Sequence, residues 1–133
     1  MTFPKVDLRG AGGKEKEMAK LFPNLTRESG PLHDFVDPIT NQRFEIKKTQ
    51  FQRLQSWIDP TKYIDLTEDD RNIIFRFVWF NNATGECLEI VDTTLGEVVD
   101  RFVSADVLDH ARELVKIYPK RSQFQFKLSI HWR

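Results

Sequence analysis

Asp34, Glu45 and Lys47 are the residues of this chain whose types and spacing could do chemistry. They lie within Leu32-His33-Asp34-Phe35-Val36-Asp37-Pro38-Ile39-Thr40-Asn41-Gln42-Arg43-Phe44-Glu45-Ile46-Lys47. Two close carboxylates can hold a hard divalent cation, Mg2+ above all with Mn2+ expected to substitute, while water and phosphate oxygens complete its shell. Such a cation acts as a Lewis acid toward a phosphate and lowers the pKa of a bound water. A lysine on the same face would reach the attacking water or the charge that develops at phosphorus. The set is what a metal-dependent phosphodiesterase needs, and Glu45-Ile46-Lys47 is the only acidic-x-Lys of the chain. An ordinary ion pair on an exposed hairpin face, worth little, is the competing reading of the same residues.

The elements that must position this set are a β-hairpin. Pro38-Ile39-Thr40-Asn41 interrupts two alternating apolar-polar runs, and Pro and Asn are turn formers for definite backbone reasons. With those four as the loop, Asp37 faces Gln42, Val36 faces Arg43, Phe35 faces Phe44 and Asp34 faces Glu45. Side chains alternate along a strand, so Phe44 and Ile46 point one way and Glu45 and Lys47 the other. Asp34 then shares a face with Glu45 and Lys47. A one-residue slip would put Asp37 there instead. Lys48 points away from the set.

Composition bounds the rest. A chain of 133 residues is expected to be one domain over 1–133, and 40% hydrophobic residues with eleven Phe can build a core. No apolar run approaches a membrane span, and Met-Thr-Phe-Pro-Lys-Val-Asp does not read as a secretory leader. The single cysteine, Cys87, excludes an internal disulfide and fits a small buried residue in a reducing, cytoplasmic setting. Net charge is zero, but Lys116, Lys120, Arg121, Lys127 and Arg133 close the chain without an acid. Charge segregated in this way can make one positive face on a neutral molecule.

The order expected is α-β-β-(α)-β-β-α-α-β, an α/β (α+β) mixed central sheet flanked by helices. Lys14 to Phe22 reads as a short helix ended by Pro23, and Arg27 to Pro31 as a loop. The spacing of Phe51, Leu54, Trp57 and Ile58 predicts a helix over 50–58, followed by a loop over 59–71. Asn72 to Phe80 is apolar on both faces except at Arg76, the mark of a doubly covered strand, and Glu86 to Val91 returns beside it. Thr94-x-x-Glu97 opens a helix through Phe102. Ser104 caps a longer one with Val107, Leu108, Ala111, Leu114, Val115 and Tyr118 as its apolar stripe. Phe124 to Trp132 alternates strictly and closes the chain as a strand.

With that order behind it, the hairpin resembles the active site of the PD-(D/E)xK nuclease superfamily, whose members place an Asp on one strand and Glu-x-Lys on the next. The likeness is greatest to small type II restriction endonucleases of the PvuII kind. There Asp-x-Val-Asp precedes Glu-x-Lys, as Asp34-Phe35-Val36-Asp37 precedes Glu45-Ile46-Lys47 here with one more residue between. The resemblance implies a restriction-endonuclease-like fold and a Mg2+-dependent endonuclease that cuts double-stranded DNA, sequence-specifically and as a homodimer. It implies Asp34 and Glu45 as metal ligands, Lys47 beside the attacking water, and Glu28, from an upstream Arg-Glu pair, completing the metal shell. Lys120 of Pro119-Lys120 is similar to a lysine that contacts DNA in that family. The family's histidine-rich recognition stretch has no counterpart after Lys47, so base specificity does not carry over. A structure-selective nuclease (a junction resolvase or nickase) and a non-catalytic nucleic-acid-binding module are the alternatives.

Further DNA contacts are read from residue type. Gln52 and Arg53, with Gln50 and Gln55, could meet base edges. Lys48 is a further DNA-contact candidate, and Lys120, Arg121 and Lys127 would touch phosphates, which position without specifying sequence. Trp57 and Trp132 could stack on bases, while Trp79 reads as core. His33 reads as a hydrogen-bonded core histidine beside the set.

Overall fold

Asn-Ile-Ile-Phe-Arg-Phe-Val-Trp-Phe has no polar face to show to water, and the computed structural model covers it on both sides. The structure describes residues 3–50, 55–120 and 126–131. Its strands are β1 (Thr26–Arg27), β2 (Phe35–Val36), β3 (Arg43–Gln50), β4 (Gln55–Ile58), β5 (Ile74–Phe80), β6 (Cys87–Thr94) and β7 (Leu128–His131). Its helices are α1 (Glu15–Leu21), the short α2 (Glu68–Arg71), α3 (Leu95–Phe102) and α4 (Ala105–Ile117), with a 3-10 turn at Pro60–Tyr63. The chain is thus a mixed α+β protein. Its main sheet runs β1-β2-β3-β5-β6, parallel only between β3 and β5, and β4 pairs with β7 in a separate two-stranded sheet.

Alternation along β5 divides the interior. Val78 and Phe80 join Val6, Leu8, Met18, Phe22, Phe35, Phe44 and Ile46 on the side of α1. Phe75, Phe77 and Trp79 join Ile58, Tyr63, Leu95, Val98, Val99 and Ile130 on the other. Arg76 interrupts the first side, yet its guanidinium lies over the rings of Phe22 and Phe44 and meets Asp92 on β6 at 2.7 and 2.9 Å. Stacking plus a two-pronged carboxylate lets an arginine sit beside a core. Buried Trp79 and Cys87 match their sequence reading. No helix among the described residues is long and apolar enough to cross a membrane.

Four expectations need correction. Gln55 to Ile58 is a strand: Ser56 and Ile58 are buried and Trp57 exposed, a period of two that pairing with β7 imposes over the helical spacing. Phe51, Leu54, Gln52 and Arg53 lie outside the described residues, as do Arg121, Phe124 and Trp132. The stretch 59–71 is not all loop. Asp59 caps the turn at Pro60–Tyr63 by accepting from Thr61, and Thr67 with Asp70 forms a capping box that starts α2. Arg27, read as the start of a loop, pairs with β2 together with Thr26. On α4, Val115 and Tyr118 stay exposed, so the buried stripe stops about a turn early.

Candidate active site

The hairpin register is the one its sequence predicts: Phe35 opposes Phe44 and Val36 opposes Arg43. Asp37 N–H donates to the Gln42 carbonyl at 2.9 Å and Asn41 N–H to the Asp37 carbonyl at 2.7 Å, closing the loop. Asn41 takes a left-handed φ of 63°, which asparagine tolerates better than most residues. The Asp37 carboxylate accepts from Ile39 N–H at 2.9 Å inside this turn. Those bonds hold it below the usual carboxylate range, so Asp37 is a turn residue facing solvent.

Asp34 stands immediately before β2, at the edge beyond which β3 is paired with β5 alone. Before it, Gly30 N–H donates to the His33 carbonyl, folding the chain so tightly that a methyl on Gly30 would sit 2.2 Å from the His33 ring. His33 is buried and its Nε2 meets the Glu28 carboxylate at 2.8 Å. Glu28 N–H donates to the Asp34 carbonyl, and Asp34 Oδ1 accepts from Ile46 N–H at 3.2 Å. A side chain thus takes a strand amide that has lost its backbone partner. That bond secures Asp34 against β3.

Glu45 and Lys47 are in register with Phe75 and Phe77 of β5, so they occupy the face that looks toward β4 and the turn at Pro60–Tyr63. Instead of closing over them, these elements leave a cleft of about 740 Å³ lined by Glu45, Lys47, Trp57, Asp59, Lys62 and Lys127 among others. Burial pushes the Glu45 carboxyl up to about 7, and the negative charge of Asp34 adds to this while Lys47 and Lys62 oppose it. Asp34 is raised too, first by burial, against its bond from Ile46 and the charge of Lys47. Among the described residues, no side chain forms a hydrogen bond or direct ion pair with Glu45. Burial thus outweighs the nearby lysines at both carboxylates, and at Glu45 the charge of Asp34 adds to it.

The other sequence candidates are placed as follows. Lys127 reaches the cleft from the segment before β7. Lys48 points to the opposite side of β3, where its ammonium donates to the Leu8 and Gly10 carbonyls and lies over Phe80. Glu28 is engaged with His33, and Lys120 follows α4. Gln50 and Gln55 line a separate hollow with Lys48 and Trp57. Sequence reasoning missed Lys62. Asp59-Pro60-Thr61, a cap followed by proline at the first helical position, was the available signal that a turn would aim it.

Two hard oxygen donors suit Mg2+ or Mn2+, with water and phosphate supplying the remaining ligands. Among the described residues no group of three or more His, Cys, Asp or Glu gathers to hold a metal by itself. The donor set fits a cation shared with a substrate. The chain matches no family model, no curated protein and no solved structure.

Proposed function

We propose that this chain is a metal-dependent DNA endonuclease with a restriction-endonuclease-like arrangement of its central sheet. The observation that carries the reading is the Glu45 carboxylate: desolvated, raised to about 7, beside Asp34, and on the same cleft wall as Lys47. Asp34 and Glu45 would hold the cation. When bound it supplies Lewis acidity toward the phosphate and a water of lowered pKa. Lys47 donates to the attacking water or to a non-bridging phosphate oxygen, favouring the pentavalent state over the ground state. The attacking water gives one proton to solvent as its oxygen bonds to phosphorus, the bond to the leaving sugar oxygen breaks, and that oxygen takes a proton from a second solvent water. Lys62 and Lys127 add positive charge along the path of the backbone. Cutting both strands of a duplex would take two such sites, which a homodimer provides.

The test is incubation of purified protein with supercoiled plasmid, with Mg2+ or with EDTA, beside Lys47→Ala. Cutting that needs Mg2+ and falls about 10²–10³-fold in the variant is the expected result. Absence of cutting with Mg2+ or Mn2+ on any DNA form returns Asp34, Glu45 and Lys47 to structural charge. A second reading, selectivity for DNA structure over sequence, is favoured by the exposed indole of Trp57 at the cleft.

A further inference from the structure

Trp57 is 54% exposed although it stands in a well-anchored strand. Tryptophan is highly buried on average, and its large amphipathic ring suits a surface that meets a partner. Its backbone is held on both sides. The Thr49 and Ser56 hydroxyls hydrogen-bond in the interior between β3 and β4, and Trp57 itself is in register with Ser129 of β7. Gln55 Nε2 donates to the Ser129 hydroxyl from the same strand pair. The backbone that carries the indole is therefore fixed while the ring surface is open.

Its surroundings say what would cover it. Trp57 lies between two hollows, the cleft with Glu45 and Lys47 and a second one lined by Lys48, Thr49, Gln50 and Gln55. Lys47, Lys62 and Lys127 share the cleft wall with it. An aromatic platform among cations is the pairing that binds an unpaired nucleotide, base on ring and phosphate on ammonium. Bases of an intact duplex are stacked on both sides and cannot offer a face to an indole. The cleft volume of about 740 Å³ lies within the roughly 300–1,000 Å³ that small-ligand sites occupy.

We infer that the cleft takes an unpaired nucleotide, its base stacked on Trp57 and its phosphate directed toward Glu45 and Lys47, so that single-stranded or locally opened DNA is the preferred substrate class. This rests on the nuclease reading for its outcome and on the geometry around Trp57 for its binding step. Trp57 is a binding residue here, with no part in the bond-breaking step.

Binding and cutting are measured separately. In EDTA, fluorescence anisotropy with a labelled oligothymidylate strand and with a duplex of equal length reads affinity without cleavage. Wild type is expected to prefer the single strand. Trp57→Ala weakens that binding roughly 10- to 100-fold, Trp57→Phe restores most of it, and duplex affinity changes little. Equal affinity for strand and duplex, or an unchanged strand affinity in Trp57→Ala, overturns the inference. If Mg2+-dependent, Lys47-dependent cutting persists alongside that result, the nuclease reading stands and only the substrate class falls. Trp57-dependent strand binding without any cutting supports the binding step and defeats the nuclease reading instead.

Discussion

The two faces of β3 carry the same kinds of residue and treat them in opposite ways. On one, Phe44 and Ile46 enter the core, and Lys48 ends on the carbonyls of Leu8 and Gly10. On the other, Glu45 and Lys47 are partly buried with no direct side-chain partner among the described residues. Lys48 tethers the segment before α1 to the sheet, and this polar group finds its complement inside the protein. Glu45 is desolvated without one, an arrangement that stability alone would not favour. A desolvated carboxylate with no direct partner, among lysines at a cleft, is what a site that expects a charged ligand looks like.

The comparison can be broken most severely at Glu45. Glu45→Gln is expected to abolish metal-dependent plasmid cutting while stabilising the metal-free protein. The folded carboxyl, raised from 4.5 to about 7, is protonated where the unfolded one is already ionised. Wild type therefore loses stability as pH climbs from about 4.5 to about 7, by about 3 kcal/mol in all, and the loss is constant above that. Urea unfolding of both proteins at pH 4 and pH 8 checks this. The variant should match wild type at the lower pH and exceed it at the higher, and equal midpoints throughout would show that Glu45 carries no such burden.

At Lys48 the expected effects reverse. Lys48→Met keeps the aliphatic stem but leaves two carbonyls without their donor, costing about 1.5–3 kcal/mol. The urea midpoint should fall at unchanged slope, while cutting per folded molecule stays at the wild-type rate. Weakened DNA binding at unchanged stability would move Lys48 back among the DNA contacts that its residue type suggested.

The smallest effect belongs to Asp37, the alternative first carboxylate. Asp37→Asn keeps an oxygen for the turn, so cutting should be unaffected, and only Asp34→Asn should impair it. Because the folded carboxyl is held low by Ile39 and Thr40 N–H, its contribution to stability is present above the ordinary carboxylate range and fades as pH falls through its lowered value. A slight destabilisation at neutral pH that disappears in acid, read by thermal melts, is the expected signature.

What the sequence determined by itself was local. The turn residues Pro38 and Asn41 and the period-two runs beside them sufficed for the hairpin register, which put Asp34 with Glu45 and Lys47, because adjacent strands joined by a short loop have few ways to pair. The doubly apolar run of β5 and the caps Thr94 and Ser104 were readable for the same reason: each signal lies within the element it specifies. The tertiary structure alone decided what surrounds the site. Parallel pairing of β3 with β5 turned Glu45 toward the Phe75 and Phe77 face, and pairing of β4 with β7 across most of the chain overrode a helical spacing and left Trp57 open. Lys62 and Lys127, remote in sequence, meet at that cleft. Burial, and with it the raised carboxyl of Glu45, is a property of assembled layers and has no counterpart in any short run of residues.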